Sequence, residues 1–384
     1  MNIALLALSF LPARGGMEFV VHDLAEALHE GGHNVTVFAP RWKNLPVEHA
    51  HSYRLIRFGW NFQGAFRFGF NKWPLNRAFA RIHRETPFDV INSHSAHLAT
   101  SYALSLKRKH GVPVVVTCHG HDIQRDATSG YGLRLDPNKD REIRRNLESS
   151  DLVVSISGSI YEDLVDVLSG EKIVSIPNGI DVDGPKNQRE DWLRKQVGDD
   201  SDIIVISVGR NVPKKSLDIG LKAYAIAADE VPGMRYVHIG RDGEPLERLA
   251  SELGVSDGFR TLGEKPRDQV LQAYREADIF FSPAAVEAFP VVTLEAMAAG
   301  LPAVVSDGPG NRDAVIDGQT GIIAPVDQTE LLAQGLVDLA RDEQRRLEYG
   351  RNALKAVERY AWPRIADEYL QAFAAVAGAP VEDG

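Results

Sequence analysis

Short apolar runs that do not alternate with polar residues recur along the chain, and they restrict the fold more than any other feature. Two of them are Val112-Pro113-Val114-Val115-Val116 and Ile203-Ile204-Val205-Ile206. A strand with one face in water alternates apolar and polar residues, whereas a parallel strand covered on both faces is apolar throughout. Amphipathic segments with helical periodicity, such as residues 18–28, separate the runs. The pattern predicts an α/β fold with doubly wound parallel sheets.

The apolar runs form two sets on either side of a polar segment, Gly184-Pro185-Lys186-Asn187. After this segment the chain begins again with a strand, a glycine and a helix, as it does at the N-terminus. Because 384 residues exceed one usual hydrophobic core, we predict two Rossmann-like domains, residues 1–183 and 184–361. The predicted strands are 2–8, 34–39, 54–58, 88–92, 113–118, 152–156 and 173–176 in the first domain, and 203–208, 235–239, 259–262, 278–282, 303–306 and 321–324 in the second.

The composition, 44% hydrophobic and 25% charged, is ordinary for a soluble globular protein. A single cysteine, Cys118, excludes an internal disulfide framework. No run approaches the roughly 18 apolar residues of a membrane span. The first eleven residues lack the basic segment of a signal peptide, so we expect a cytoplasmic protein.

The acidic charge lies in the second half of the chain. Residues 1–180 contain 20 basic and 18 acidic residues, whereas the remainder contains 23 basic and 35 acidic residues. This asymmetry indicates two units with different partners. Because the net charge is −10 and no basic groove motif is present, nucleic acid is not an expected partner.

Two glutamates bracket an apolar run near residue 290. Glu287 and Glu295 are separated by seven residues, and a helix-forming segment continues to Gly300-Leu301-Pro302. A helix that opens near Val291 carries Glu295 in its second turn and leaves Glu287 on the preceding loop. The N–H groups of a first helical turn suit a phosphate, so the arrangement predicts a site for a sugar joined to a nucleotide diphosphate. The alternative is an acidic helix start that the helix dipole favours.

Glycines, a histidine and basic residues follow other predicted strands. Gly15-Gly16 follows the first strand without the GxGxxG pattern of a dinucleotide site, and a plain turn is the alternative to a ligand loop. His119 ends the fifth strand, at the edge where α/β folds bind ligands. Arg210 and Lys215, with Lys214, follow the eighth strand, and a guanidinium beside an ammonium suits a diphosphate. The alternative for these cations is a solvated basic loop.

In this order, these residues resemble the retaining GT-B glycosyltransferases of glycosyltransferase family 4. The resemblance extends over nearly the whole chain and has five landmarks. They are Gly15-Gly16, His119, Pro177-Asn178-Gly179-Ile180-Asp181, Gly209-Arg210 with Lys214-Lys215, and the E-x7-E pair Glu287 and Glu295. The resemblance implies two Rossmann-like domains that face a cleft, the first binding the acceptor and the second the nucleotide-sugar donor. It also implies that a last helix, about 362–377, packs back on the first domain.

The activity implied by the resemblance is transfer of a hexosyl unit from a nucleotide diphosphate sugar to an acceptor hydroxyl, with retention of configuration. Glu287 and His119 are expected to contact the sugar, and Arg210 and Lys215 the diphosphate. The remaining donor contacts are expected from Glu295 to the ribose, from Gly263, Glu264 and Lys265 to the base, and from Gly15, Gly16 and the amides near Phe289 and Val291 to the phosphates.

The resemblance also implies that neither a metal nor another cofactor is required. Asp181-Val182-Asp183 has the DxD spacing of metal-dependent transferases, but it lies directly before the polar segment and is interpreted as a turn. His119 and His121 lack a third ligand at suitable spacing. The chain departs from many family members at Pro290, which has no N–H to offer a ligand, and at Asp313, where a glutamate is common.

Three other classes of protein stay open. The first is another GT-B enzyme, a sugar-nucleotide epimerase or a phosphorylase, although the chain is short for a phosphorylase. The second is a non-catalytic sugar-nucleotide-binding module, against which the two glutamates and two cations argue. The third is a nicotinamide-dependent dehydrogenase, which the missing GxGxxG pattern disfavours.

One segment of the first domain, residues 54–84, is basic and aromatic and contains no acidic residue. Its cations are Arg54, Arg57, Arg67, Lys72, Arg77, Arg81 and Arg84, and its aromatic residues are Phe58, Trp60, Phe62, Phe66, Phe68, Phe70, Trp73 and Phe79. Core packing is the alternative explanation for the aromatic residues. We hypothesise that the segment docks a saccharide or lipid-linked acceptor of anionic character, with peripheral contact to an anionic membrane, in cell-surface glycan assembly.

Overall fold

A computed structural model describes residues 1–12, 15–41, 51–59, 69–128, 130–182, 192–199 and 201–378. The chain divides into two compact units, Met1–Gly179 with Trp362–Gly384, and Ile180–Ala361. The boundary predicted between residues 183 and 184 lies outside the described residues. Each unit contains one parallel sheet with Rossmann-like connections, so the predicted α/β fold class is confirmed.

The first unit is a seven-stranded sheet in the order β3-β2-β1-β4-β5-β6-β7. Its strands are β1 (Asn2–Ala7), β2 (Asn34–Pro40), β3 (Arg54–Phe58), β4 (Val90–His94), β5 (Val114–Cys118), β6 (Leu152–Ser155) and β7 (Ile173–Ser175). Its helices before the second unit are α1 (Gly16–Glu30), α2 (Lys72–Glu85), α3 (Leu98–His110), α4 (Pro137–Glu148) and α5 (Gly158–Val165), with 3₁₀ turns at Leu133–Leu135 and Gly170–Lys172. All residues of β4 and β5 are buried. For β5 this agrees with its apolar start, whereas β4 buries the polar residues Asn92, Ser93 and His94.

The second unit is a six-stranded parallel sheet in the order β10-β9-β8-β11-β12-β13. Its strands are β8 (Ile203–Val208), β9 (Met234–Ile239), β10 (Phe259–Thr261), β11 (Ile279–Ser282), β12 (Ala303–Ser306) and β13 (Gly321–Ala324). Its helices are α6 (Arg194–Val197), α7 (Leu217–Glu230), α8 (Glu244–Glu252), α9 (Arg267–Glu276), α10 (Val291–Ala298), α11 (Pro309–Ala314), α12 (Thr329–Arg341) and α13 (Glu343–Val357), with 3₁₀ turns at Pro213–Lys215 and Glu358–Tyr360.

The last helix, α14 (Trp362–Ala377), belongs to the first unit. The hydroxyl of its Tyr369 lies 3.4 Å from the hydroxyl of Thr117 on β5. At its start, the ring of Trp362 covers Gly179 so closely that a Cβ there would lie 2.3 Å from the indole. None of the helices in the described ranges combines the length and the hydropathy that a membrane crossing needs.

The strand order reverses once in each sheet, and these reversals position the candidate site. In the first unit β1 lies between β2 and β4, and in the second unit β8 lies between β9 and β11. The reversal lies between β1 and β4 in the first sheet and between β8 and β11 in the second. The connections that leave these two adjacent strands run over opposite faces of the sheet, so a crevice opens at the carboxyl ends of the strands. The loops after β1, β4, β8 and β11 therefore border the two crevices.

A buried carboxylate fixes the entry into the second unit. Glu276, at the end of α9, is fully buried. Its oxygens accept hydrogen bonds from the backbone N–H groups of Trp192 (3.2 Å), Leu193 (2.8 Å) and Arg194 (3.1 Å) at the start of α6. The free N–H groups of a helix start are thus satisfied by a side chain from another helix.

We predict that Glu276→Ala lowers the free energy of unfolding by about 2–4 kcal/mol, because three buried or partly buried N–H groups lose a charged acceptor. Chemical denaturation followed by circular dichroism measures the change. Glu252→Ala, at an exposed glutamate at the end of α8, is the matched control. Equal denaturation midpoints for the two variants would contradict the structural role of Glu276.

Candidate active site

The turn after β8 is held by close backbone packing. Gly209 has a φ of +144°, which favours glycine. Its carbonyl oxygen lies 2.8 Å from Nε2 of the buried His238. A Cβ on Gly240 would lie 1.8 Å from the same oxygen, so only glycine fits there. The packing fixes the backbone from which Arg210 extends into solvent.

Two candidate residues from different strand ends meet in this crevice. Lys215, after β8, forms an ion pair and a hydrogen bond with Glu287, which follows β11. The side chains are largely withdrawn from water, with exposed fractions of 17% and 11%. The structure therefore brings together a cation and a carboxylate that the sequence placed in separate motifs.

Lys214 is a further member of this cluster. Burial lowers the pKa of its ammonium group, the Glu287 carboxylate opposes this effect, and the charges of Lys215 and Arg210 reinforce it. Its carbonyl oxygen also accepts a hydrogen bond from Val286 N–H at 3.2 Å. Lys214 and Lys215 thus interact with one carboxylate, Arg210 lies within electrostatic range of Lys214, and the cluster suits an anionic ligand.

The loop that carries Glu287 rests on α11. Gly310 N–H donates to the Glu287 carbonyl oxygen at 3.1 Å, and a Cβ on Gly310 would lie 2.4 Å from that oxygen. This short helix was not predicted from the sequence. Its first residue, Pro309, is a helix-start signal. Asp313 lies in the helix, and its carbonyl oxygen accepts from the hydroxyl of Tyr360 at 3.0 Å.

The helix predicted near Val291 begins at that residue, as α10. Its Glu295 is buried, and Oε1 of the carboxylate lies 3.2 Å from Nε and 3.1 Å from Nη2 of Arg267. Arg267 lies on the amphipathic α9, where no local signal distinguishes it from a solvated cation.

The amide at the start of α10 has a hydrogen-bond partner within its own turn. Val291 N–H donates to the carbonyl oxygen of Phe289 at 3.0 Å. A phosphate contact through this amide would have to replace that hydrogen bond. The Phe289 ring packs edge-on against Tyr360, with centroids 5.9 Å apart.

The segment Gly263-Glu264-Lys265 follows β10, the edge strand two positions from β8. Gly263 has a φ of +70°, and its carbonyl oxygen accepts from Gly240 N–H at 3.0 Å. Gly240 therefore connects this turn with the turn at Gly209. Glu264 is exposed and pairs with Arg241 at 3.6 Å. The segment lies at the same sheet edge as the cation cluster.

In the first unit, the Gly15-Gly16 turn starts α1. Gly15 is extended, and a Cβ there would lie 2.4 Å from an oxygen of Glu18. A Cβ on Gly16 would meet no atom within 4 Å. The atom near Gly15 is the end of a flexible side chain that can move away, so packing does not require glycine at that position. Gly16 keeps space open beside the turn.

His119, directly after β5, contacts a second histidine. Its Nε2 lies 2.9 Å from Nδ1 of His94, the last residue of β4. Burial lowers the pKa of His119 to about 4, although the nearby Asp122 carboxylate acts in the opposite direction. Burial also lowers the pKa of His94 well below its ordinary value. Both imidazoles are therefore neutral at pH 7. His94 was not predicted as a site residue, because the predicted strand ended at residue 92 and left His94 in the loop.

One group of described residues has ligand atoms close enough to hold a metal ion, and none of its members is a predicted site residue. It consists of His22, Glu26 and His51, whose ligand atoms lie within 4.8 Å of one another. Asp181 is described, whereas Asp183 lies outside the described residues. The expectation of a metal-independent site stays a prediction.

The basic and aromatic segment 54–84 divides into core and surface. Its residues Trp60, Phe62, Phe66, Arg67 and Phe68 lie outside the described residues. Phe58 and Phe79 are buried, as the core alternative predicts, whereas Phe70 and Trp73 have exposed fractions of 59% and 68%. The Arg77 guanidinium lies 5.6 Å from the centre of the Trp73 ring.

Comparison with known proteins agrees with this architecture. The model of Glycosyltransferase Family 4 matches residues 14–183, and the model of Glycosyl transferases group 1 matches residues 188–356. Phosphatidyl-myo-inositol mannosyltransferase of Mycolicibacterium smegmatis is 27% identical over 394 aligned positions, which cover 96% of this chain and 92% of that protein.

Solved structures share the two-unit fold. Sucrose-phosphate synthase from Thermosynechococcus elongatus has a TM-score of 0.79 at 22% identity, covering 97% of this chain and 99% of that one. Anabaena HepE, solved with UDP and glucose, has a TM-score of 0.77 at 20% identity, covering 98% of this chain and all of that one (100%). The fold and the site define a glycosyltransferase with two Rossmann-like domains. The chain belongs to glycosyltransferase family 4.

We predict a pH-dependent stability contribution from His238, which supports the turn at Gly209. Burial lowers the pKa of His238, and its hydrogen bond to Gly209 only partly opposes this. Above the ordinary value of 6.5 the ring is neutral in both folded and unfolded chains. As pH falls below that value the unfolded chain binds the proton more readily, so stability is lost. His238→Gln, which keeps a donor for Gly209 but does not titrate, should lose less stability between pH 7 and pH 5.

Denaturation midpoints at the two pH values measure this difference. His121→Gln, at an exposed histidine, is the control and should lose as much stability as the wild type. The same pH dependence in His238→Gln and in the wild type would contradict the prediction.

Proposed function

We propose that this glycosyltransferase transfers a hexosyl unit from a nucleotide diphosphate sugar to a hydroxyl group of an anionic acceptor, with retention and without a metal ion. The observation that carries the proposal is the cluster of Arg210, Lys214 and Lys215 beside Glu287 at the strand reversal of the second unit. Cations at such a position can stabilise the charge that develops on a leaving diphosphate.

In the proposed reaction the bond between the sugar C1 and the diphosphate oxygen breaks, and a bond between C1 and the acceptor oxygen forms. The acceptor proton passes to the departing phosphate on the same face of the sugar, so no protein base is required. The diphosphate competes with Glu287 for Lys215. Glu287 is then available to accept hydrogen bonds from sugar hydroxyls.

Glu295 is proposed to accept from the ribose. The two contacts of Arg267 with Oε1 hold this carboxylate in a defined orientation. The turn Gly263-Glu264-Lys265 is proposed to border the base, because Gly240 connects it with the turn that carries Arg210. The UDP bound by HepE belongs to that protein, and its fold supports a nucleotide donor for this one.

The anionic acceptor is proposed from the surface of the first unit. A groove of about 1200 Å³ is lined by residues of α2, α3 and α4, among them Lys72, Arg108, Lys139 and Arg145. The groove also contains two carboxylates, Glu142 and Asp136. Glu142 is already engaged by Ser101 (2.8 Å) and His97 (3.3 Å). Asp136 accepts from the backbone N–H of Asn138 at 2.9 Å and lies 3.8 Å from the ammonium of Lys139. The name of the mycobacterial relative specifies an anionic phospholipid as its acceptor. A glycolipid acceptor, reached by peripheral contact of a cytoplasmic protein with an anionic membrane, agrees with these cations and with the exposed Phe70 and Trp73.

The test is a panel of nucleotide diphosphate sugars incubated with liposomes that contain phosphatidylinositol or only neutral lipid. Release of nucleoside diphosphate together with a glycosylated lipid identifies the reaction. Activity should depend on the anionic lipid and survive EDTA. Arg210→Ala and Lys215→Ala should each reduce turnover by about 10²–10³, whereas Lys222→Ala, an exposed cation on α7, should not. Turnover that EDTA abolishes and Mg²⁺ or Mn²⁺ restores would refute the metal-independent reaction, and an isomerised free sugar nucleotide would instead identify an epimerase.

We also predict that the two glutamates of the motif hold different parts of one donor. Glu295→Gln should weaken binding of the free nucleoside diphosphate by about tenfold, because the ribose loses a charged acceptor. Glu287→Gln should retain that affinity and lose sugar transfer. Titration calorimetry with the nucleoside diphosphate measures the nucleotide affinity of both variants, and release of nucleoside diphosphate from the donor measures sugar transfer. Equal losses of nucleotide affinity would show that the assignment is wrong.

A further inference from the structure

The buried histidine His94 determines what its neighbour can offer a ligand. His94 ends β4, next to β1 at the strand reversal of the first unit, with Ala7 as its register partner. Its side chain is fully buried. On its other side His94 pairs in register with Thr117, two residues before His119. The two rings are therefore brought together by strand pairing and not by a flexible loop.

The contact between the rings is a hydrogen bond and not a stacking interaction. Nδ1 of His94 and Nε2 of His119 are 2.9 Å apart, the ring centroids 5.2 Å, and the planes differ by 25°. Rings stacked face to face would bring their centroids closer for such a short nitrogen distance. Nearly coplanar rings joined edge to edge give both values, which is the geometry of an in-plane N–H···N bond.

One proton lies in this bond, and burial decides which ring supplies it. Nε2 of His94 is buried and has no hydrogen-bond partner among the described residues. If His119 were the donor, the proton of neutral His94 would lie on this Nε2 and leave a buried N–H unsatisfied. If His94 is the donor, only a lone pair is left without a partner there, and orphaned buried N–H groups are the rarer case.

We propose that His94 donates from Nδ1 to Nε2 of His119 and thereby fixes His119 as the neutral tautomer with its proton on Nδ1. His94 is then a positioning residue that acts on ligands through His119. Nδ1 of His119 has no hydrogen-bond partner within the described ranges, and its ring is half-buried. The fixed tautomer presents an N–H donor, which suits a hydroxyl or ring oxygen of an uncharged sugar.

The charged neighbour of the pair agrees with this assignment. Asp122 accepts a hydrogen bond from the backbone N–H of His119 at 3.0 Å through Oδ1. It accepts a second from the backbone N–H of Ala96 at 2.7 Å through Oδ2. Both of its oxygens are thus engaged by backbone groups. Its charge favours protonated His119, but burial of the pair dominates and lowers the pKa of His119 to about 4. Neither ring is charged at neutral pH.

The structural part of the inference is tested by NMR on protein labelled with ¹⁵N-histidine, at pH 7 and without substrate. Long-range ¹H–¹⁵N correlations distinguish the two neutral tautomers and the charged ring, and His119→Gln assigns the signal. The expected result is the Nδ1–H tautomer. The Nε2–H tautomer, or a charged His119 at pH 7, would overturn the proposal whatever the enzyme does.

Asn and Leu at position 94 form a matched pair, because they have nearly the same shape and both remove the ring. The amide of His94→Asn can donate to His119 Nε2, whereas His94→Leu cannot. His94→Asn should keep the Nδ1–H tautomer and kcat/KM within about threefold of the wild type. His94→Leu should populate both tautomers and lower kcat/KM by about tenfold.

The role of His94 in transfer rests on the proposed function, and the two can fail separately. If no donor of the panel is turned over, the NMR result still decides the tautomer. If both variants lose activity equally while both fold, His94 only fills space, and its positioning role is overturned.

Discussion

Parallel pairing of the described strands is the constraint on which the rest of the structure depends. In a parallel sheet all carboxyl ends lie at one edge, and the loops that leave neighbouring strands are brought together wherever the order reverses. In the second unit this places Lys215 against Glu287, 72 positions later in the chain. In the first unit it places His94 against His119, 25 positions later.

Partial burial gives these contacts their chemical character. In the second unit, burial disfavours the charged form of Lys214, and the Glu287 carboxylate compensates for part of this cost. The cluster has more cations than carboxylates, and Lys215 and Glu287 are largely withdrawn from water, so a bound anion would interact with it strongly. In the first unit the same desolvation keeps two histidines neutral, and hydrogen bonding then decides where their protons lie. Burial thus acts on a charged cluster in the second unit and on a pair of neutral rings in the first.

Sequence patterns predicted much of this architecture because they are local. All thirteen predicted strands are present, with ends displaced by at most two residues, and the helix predicted near Val291 begins there. That displacement mattered at β4, where the predicted strand ended before His94. Arg267 escaped notice for a different reason, because only its distance from Glu295 distinguishes it from other cations on an amphipathic helix. The hydrogen bond from Val291 N–H to the carbonyl oxygen of Phe289 was also not predicted, and the expected phosphate contact of this amide stays a prediction.

The sequence by itself determined the order of the elements, the parallel character of both sheets and the strand ends that carry polar residues. Each of these follows from neighbouring residues, through hydrophobic periodicity and turn chemistry. Only the tertiary structure decided which ends adjoin, which carboxylate each cation meets and which two histidines share a hydrogen bond. Those outcomes depend on distances through space and on burial. Coulomb energy and desolvation vary with both, and neither can be obtained from separation along the chain.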